Sequence, residues 1–327
     1  MSMVIERQPA ECDRAESDRA ESQRAEFLRD ALAGLSAEPR TLPGKYLWDA
    51  IGSDLFDRIC HTRDYYPTRR EMTLLPEVAL AVAADVGPGA TVVEFGSGAS
   101  RKIRTLLDAL DRPAAYIAVD ISGDYLAEAI RRLAPDYPRV AMQAVCADYA
   151  KPFTLPLPAG GGPVLGFFPG TSIGNFTPAE AGAFLARARD ALGDCLFLVG
   201  ADPTVDPDIL RVAYGGADGL MDAFHRNILV RMNRELGAEF DTDAFAQAVR
   251  LCDAPFRVEA HLVAQQATTA RLDGTDFAFA PGDSIRTDTS HKYTPEAFAA
   301  LATANGWTPV RHWAGTEGGF SLHLLRG

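Results

Sequence analysis

From Pro76 onward, short apolar runs alternate with helical stretches. The runs are Thr91 to Phe95, Ala114 to Val119, Val140 to Val145, Val164 to Phe168 and Cys195 to Val199. Between them, residues 101–110, 125–133 and 178–192 carry helical spacing, and Thr177 followed by Pro178 reads as an N-cap with proline at the first helical position. Five strand–helix repeats predict a parallel, doubly wound α/β sheet, and runs without a polar face predict strands covered on both sides. The alternation stops over residues 202–294, then a helix over 295–305 and strands over 308–313 and 320–325 close the pattern. An interruption of that size predicts a second lobe over the carboxyl edge of the sheet. Ahead of the sheet, apolar residues such as Leu32, Leu42, Tyr46, Trp48, Leu55 and Ile59 recur irregularly, which predicts short helices and loops that join this lobe. Residues 13–27 read DRAES-DRAES-QRAEF, a charged near-repeat that predicts a solvated leading helix.

Composition narrows the function. The chain has 327 residues, of which 47% are hydrophobic, enough for a sizeable core. Thirty-two Lys plus Arg against 44 Asp plus Glu give a net charge of −12, which opposes binding to nucleic acid or to an anionic membrane surface. Cys12, Cys60, Cys146, Cys195 and Cys252 are scattered without a C-x-x-C, so neither a disulfide framework nor a zinc knuckle is expected, and reduced, cytoplasmic residence follows. The histidines show no H-x-x-x-H or H-E-x-x-H spacing, so no metal site is expected. The long uncharged stretch from Pro152 to Ala179 contains six Pro and six Gly, which predicts linker, strand and tight loop rather than a membrane span.

Four stretches carry candidate chemistry. Glu94-Phe95-Gly96-Ser97-Gly98 follows the first strand, where glycines let a ligand approach the backbone and the next helix offers its N-terminus. Arg101 stands where a full dinucleotide fingerprint has its third glycine. Asp120 ends the second strand, placed to accept from ribose hydroxyls, and Asp148 ends the third, within reach of an adenine amino group. Three such features on successive carboxyl ends predict one adenosine site. Gly170-Thr171-Ser172-Ile173-Gly174 matches the G-x-S-x-G elbow of serine hydrolases, with Asp202 and His312 as later triad partners, but the upstream oxyanion loop is missing and Glu94, Gly96, Gly98 and Asp120 stay unexplained. Tyr65 and Tyr66 stand before Pro67 as core anchors or pocket hydroxyls. Asp288 and Ser290, at i and i+2 of an extended segment, are expected to point together into a cavity.

Together these stretches resemble the S-adenosylmethionine-dependent histidine Nα-methyltransferases, which make hercynine for ergothioneine biosynthesis. The resemblance rests on YLWDAIGSDLF (46–56), YYPTR (65–69), residues 93–100, FFPGTSIGNFTP (167–178), AFHRNIL (223–229) with NREL (233–236), and residues 287–293. It implies a Rossmann-like class I methyltransferase sheet with an α+β substrate lobe: residues 16–69 plus 206–294 as the lobe, 70–205 plus 295–327 as the S-adenosylmethionine-binding domain, and 1–15 as a flexible N-terminus. It implies that Glu94, Gly96, Ser97, Gly98, Lys102, Asp120, Asp148 and Tyr149 hold the cofactor. Asn175 and Tyr214 would hold the substrate carboxylate, the Gly170 backbone would face the amino group, and Tyr65, Asp288, Ser290 and Trp48 would surround the side chain. Tyr65 and Gly170 are the expected catalytic positions. A monomer or weak homodimer is expected. Asp288 replaces the family's Glu, Trp48 a Tyr, and Ala260 a bulkier apolar residue, which makes a larger amino acid such as Trp or Tyr, or a modified histidine, an alternative substrate.

Overall fold

The computed structural model describes residues 9–97, 101–121, 123–158, 161–216, 218–315 and 319–327, without the side chains of residues 9–20 and 124. Seven strands form the main sheet: β1 (Thr91–Phe95), β2 (Ala115–Asp120), β3 (Ala141–Cys146), β4 (Val164–Phe168), β5 (Cys195–Ala201), β11 (Thr308–Ala314) and β12 (Ser321–Arg326). Their order is β11-β12-β5-β4-β1-β2-β3. The first five are parallel, and β12 runs antiparallel between β5 and β11. This is a Rossmann-like sheet, as the sequence led us to expect. The chain winds outward from β1 through β2 to β3, then returns to β4 on the other side of β1. That reversal opens a crevice at the carboxyl ends of β1 and β4, where open α/β sheets bind ligands.

The strands form where apolar runs can be covered on both faces. One face packs on α3 (Tyr66–Val86) and α4 (Arg101–Ala109) through Leu75, Val78, Val82, Leu106 and Leu107. The other packs on α6 (Pro178–Leu192) and α9 (Pro295–Ala304) through Phe184, Leu185, Phe298 and Trp307. β1 and β5 are buried along their whole length, whereas β3, at the sheet edge, leaves Ala141, Gln143 and Ala144 exposed. α6 starts at Thr177 with a complete capping box, in which Thr177 and Glu180 exchange side-chain and backbone bonds. α5 (Gly123–Leu133) links β2 to β3.

The pattern before the sheet differs from the reading of short helices and loops in one respect. α3 begins within YYPTR and runs 21 residues straight through Pro76. Proline in a helix interior removes one backbone bond, but here Leu75, Val78 and Val82 on the same helix are fully buried against the sheet, and packing outweighs the local penalty. The helix therefore carries the YYPTR residues to the crevice and sets Glu71 one turn behind them.

α1 (Pro9–Ser36), α2 (Ala50–Cys60), α7 (Pro207–Gly215) and α8 (Leu220–Leu236) accompany two smaller antiparallel sheets. One joins β6 (Phe245–Asp253), β7 (Phe256–Ala264) and β10 (Ser284–His291). The other is the hairpin of β8 (Thr268–Leu272) and β9 (Thr275–Phe279). Phe27, Leu35, Leu47, Ile59, Phe224, Ile228, Phe245, Leu262 and Ile285 share one core, so the N-terminal segment and the late insertion bury the same apolar surface. Asp49 pins them together: it caps α2 at Gly52 N–H and accepts from Asn227 and Arg234 of α8, each at 2.7 Å. No helix among the described residues is long and apolar enough to cross a membrane.

Candidate active site

The carboxyl ends of β1, β2 and β4 open into a cavity of about 230 Å³. At the sheet end its wall includes Glu94, Gly96, Ser97, Lys102, Asp120 and Tyr149. Gly96 turns the chain at φ 69°, a left-handed conformation that favours glycine, and its N–H is held by the Val119 carbonyl at 2.8 Å. Gly98 lies outside the described residues. Glu94 is 1% exposed and accepts from the Tyr116 hydroxyl, and burial pushes its carboxyl up to about 8. The Tyr149 ring sits edge-on to Phe95, Phe168, Phe176 and Phe184, which fixes the cavity floor. Asp148 stands apart: it lines an adjoining cleft of about 930 Å³, where one oxygen accepts from Ala150 N–H at 3.0 Å and the other lies 3.7 Å from Lys151. The two spaces share Trp48, Ile121, Tyr149, Ser172, Asn175 and Asp288 as walls, so they adjoin.

The opposite end of the cavity is aromatic. Trp48 meets Phe56 and Phe224 edge-on at 4.9 and 5.4 Å, Phe56 meets Tyr65 at 5.6 Å, and Tyr65 meets Tyr214 at 6.1 Å. Five parts of the chain, the loop before α2, α2 itself, the residue preceding α3, α7 and α8, supply this wall. Burial pushes the Tyr65 phenol well above the ordinary tyrosine range, so it stays protonated. Asp288, half-buried on β10, takes the Thr289 N–H at 2.9 Å, and burial pushes its carboxyl up to about 7. Ala260 faces Asp288 across the β7–β10 register but is 6% exposed and does not line either space.

Between the two ends, the loop after β4 carries Gly170 at φ 74°. Its N–H donates to Glu71 Oε1 at 2.9 Å, and Glu71 Oε2 lies 2.6 Å from the Lys102 ammonium. Glu71 is fully buried. It thereby joins the β4 loop to α4 with one carboxylate, and with its N–H engaged, Gly170 has its carbonyl left for other contacts. Glu71 escaped sequence reading because it looks like any helical glutamate after a pair of arginines.

Ser290 departs from its expected place. It is 4% exposed and absent from the cavity wall, because its hydroxyl is taken by the Tyr214 hydroxyl at 3.0 Å and the Lys292 ammonium at 2.9 Å. Lys292 also donates to Tyr214 at 2.7 Å and to Asp202 at 2.6 Å, and Tyr66 donates to the same Asp202 oxygen at 2.6 Å. This cluster also dissolves the hydrolase reading. Asp202 serves Lys292 and Tyr66. The Ser172 hydroxyl donates to the Pro169 carbonyl at 3.1 Å, and His312 stacks on His323 at the β11 side of the sheet. His225, from the AFHRNIL stretch, lines the cavity as a neutral ring: burial holds it down at about 4, and its Nδ1 lies 2.9 Å from Thr287 Oγ1.

Residues 27–327 match the family of histidine-specific, S-adenosylmethionine-dependent methyltransferases. The chain belongs to that family. It is 38% identical to the histidine N-alpha-methyltransferase of Mycolicibacterium smegmatis, over 90% of this chain and 93% of that protein. It is 36% identical to the protein of the same name from Mycobacterium tuberculosis, again over 90% and 93%. It is also 30% identical to Ergothioneine biosynthesis protein 1 of Neurospora crassa, over 88% of this chain and 33% of that longer protein. Membership assigns S-adenosylmethionine as the methyl donor. Of the expected positions, Trp48, Tyr65, Glu94, Gly96, Ser97, Lys102, Asp120, Tyr149, Gly170, Asn175, Tyr214 and Asp288 share one cavity, whereas Asp148 and Ser290 stand beside it.

Proposed function

We propose that the chain transfers methyl groups from S-adenosylmethionine to the α-amino group of L-histidine, ending at Nα,Nα,Nα-trimethylhistidine, the hercynine of ergothioneine biosynthesis. One observation carries the reading: a single cavity joins the carboxyl ends of β1 and β2 to an aromatic wall with the Asp288 carboxyl at its edge. Residues 16–69 and 206–294 are then the lobe that closes over the amino acid, and 70–205 with 295–327 the domain that holds the donor.

The sheet end suits the donor. The left-handed Gly96 leaves no side chain between β1 and the cavity, Asp120 offers a carboxylate of the kind that accepts ribose hydroxyls, and Lys102 adds a cation. S-adenosylmethionine, when bound, supplies a sulfonium methyl already activated for transfer. The chain's own task is alignment and exclusion of water. Asn175 and Tyr214 hold the carboxylate of the amino acid, and the Gly170 loop, fixed by Glu71, sets the position of the amino group. The amine must be neutral to react. Burial holds Tyr65 protonated, so it does not take the proton, and the proton that each amine loses before transfer leaves to water. The rings of Trp48, Phe56, Tyr65 and Phe224, beside Asp288, line the end that takes the imidazole side chain.

The test is mass spectrometry of the purified chain with S-adenosylmethionine and each of the twenty amino acids in turn, tryptophan and tyrosine included. Hercynine from histidine is the expected product. Methylation of another amino acid with none of histidine would overturn the substrate, and no methylated amino acid at all would overturn the reaction.

A further inference from the structure

The helix face that closes the aromatic end of the cavity holds one residue out of keeping with its neighbours. On α8, Met221, Phe224, Ile228, Leu229 and Met232 are buried apolar side chains of the lobe core, and His225 stands among them at 4% exposure. A leucine or methionine there would serve packing as well, without the cost of taking a ring with two polar nitrogens out of water. One nitrogen is satisfied: Nδ1 lies 2.9 Å from Thr287 Oγ1 on β10. Nε2 bonds no described group, yet it is not sealed from solvent, so it opens on the cavity that the ring lines.

β10 brings a second polar group to the same place. Its register on β7 slips between Arg286 and Asp288. The bulge lets consecutive residues serve one side of the strand: Thr287 bonds His225, and Asp288 lines the cavity that His225 lines. A ring nitrogen from α8 and a carboxyl from β10 are thus set among the rings of Trp48, Phe56, Tyr65 and Phe224. The histidine acts there without charge, since burial holds it down at about 4. A neutral imidazole keeps one N–H and one bare nitrogen, and in either tautomer Nε2 offers one directed hydrogen bond. A bound side chain that covers this nitrogen without meeting it leaves it dry and unpaired, which is costly. An all-carbon ring is therefore penalised at this end, and a ring bearing nitrogen is not.

We propose that His225 is a specificity-determining residue for the side chain of the amino acid: its Nε2 hydrogen-bonds a ring nitrogen of the substrate, and together with Asp288 it selects nitrogen heterocycles over carbon rings of the same size. The proposal deepens the function given above, and it rests on that reading in taking the ligand to be an amino acid whose side chain enters this end. It gives the AFHRNIL stretch a task in recognition. Two contacts from different elements also fix the plane of the substrate ring, where one carboxyl alone leaves it free to swing.

The test compares L-histidine with β-thienyl-L-alanine, an amino acid whose five-membered ring is of similar size and holds no nitrogen. Affinities for both are measured by calorimetry on the full chain saturated with S-adenosylhomocysteine. His225→Asn keeps an amide near the Nδ1 position for Thr287 and removes Nε2, whereas His225→Gln reaches with its amide to the Nε2 position. The wild type should prefer histidine. His225→Asn should shrink that preference about tenfold, the size of one hydrogen bond lost at a buried position, and His225→Gln should restore it to within about threefold. His225→Leu should shrink it at least as far; if that variant fails to fold, the other two still decide. A preference unchanged in His225→Asn would overturn the proposal. So would equal losses for both ligands in His225→Asn and His225→Gln, since His225 would then act only through packing. The readout needs no turnover, so a wild type that methylates nothing sinks the reaction while the same affinities decide the role of His225. Should the wild type take tryptophan and not histidine, the substrate falls, and the same variants are compared on tryptophan and β-benzothienyl-L-alanine, whose sulfur stands in place of the indole N–H.

Discussion

Glu71 offers the sharpest quantitative test of how the site is held. The perturbation is Glu71→Gln, which keeps the shape and an oxygen for the Gly170 N–H but turns an amide N–H toward the Lys102 ammonium. Breaking a buried ion pair by removing one partner costs about 3 to 5 kcal/mol. Lys102 keeps 22% of its side chain exposed and so retains some water, which places the loss at the lower end, about 3 kcal/mol. With roughly 2.1 cal/mol/K of unfolding entropy per residue, a chain this long has an unfolding entropy of about 0.7 kcal/mol/K, so Tm should fall by about 4 °C. Lys102→Met should cost at least as much, because it leaves the fully buried Glu71 carboxylate without its cation. The double variant Glu71→Gln/Lys102→Met removes both charges and should be more stable than either single variant. Thermal melts of the four ligand-free proteins measure the cycle. A double variant as unstable as the sum of the singles would refute the reasoning, because the two side chains would then be acting separately.

Two further outcomes follow from the same cavity. Asp120→Ala should weaken S-adenosylhomocysteine about 10- to 100-fold by calorimetry, the loss of one or two charge-assisted hydrogen bonds; unchanged affinity would remove Asp120 from the donor site. Asp288 makes the site sensitive to pH. Its folded pKa of about 7 lies above the ordinary aspartate value, so the stability tied to its neutral form is present below about 4 and is lost as pH rises through 7. Conversely, its ability to accept a ring N–H appears as pH rises through 7. Histidine affinity of the wild type, divided by that of Asp288→Asn measured alongside to cancel the substrate's own titration, should therefore climb between pH 6 and 8. A flat ratio would separate Asp288 from the imidazole.

Much of the sheet was legible because its signal is local. Each of β1 to β5 is a compact apolar run ended by a turn residue, and α6 announces itself with Thr177, Pro178 and Glu180, all within one turn. The long α3 was not legible, since Pro76 reads locally as a boundary. Only the burial of Leu75, Val78 and Val82 against strands that follow in the chain explains why the helix continues. The buried faces of the N-terminal segment were equally hidden: Phe27 and Leu35 share a core with Ile228, Leu262 and Ile285 from far along the chain, and no periodicity within residues 27 to 69 encodes that pairing.

The site divides along the same line. Residues that announce themselves do so through backbone requirements or strand ends: Gly96 and Gly170 turn at positive φ, and Asp120 ends β2. Glu71, Lys292 and Asp202 carry no such mark, since what defines each is a partner far along the chain: Gly170 lies 99 residues after Glu71, and Lys292 lies 90 residues after Asp202. The two expectations that shifted, Asp148 and Ser290, shifted for a related reason. An i, i+2 rule places Asp288 and Ser290 on one strand face, but which of them reaches the cavity is settled by what stands before it, and α7 brings Tyr214 to Ser290 while leaving Asp288 open. Sequence pattern thus marks the atoms that would touch ligand, and tertiary structure decides which polar groups hold those atoms still. A substitution scan confined to motif residues would test the former and miss Glu71, whose carboxylate fixes the Gly170 loop without lining the cavity itself.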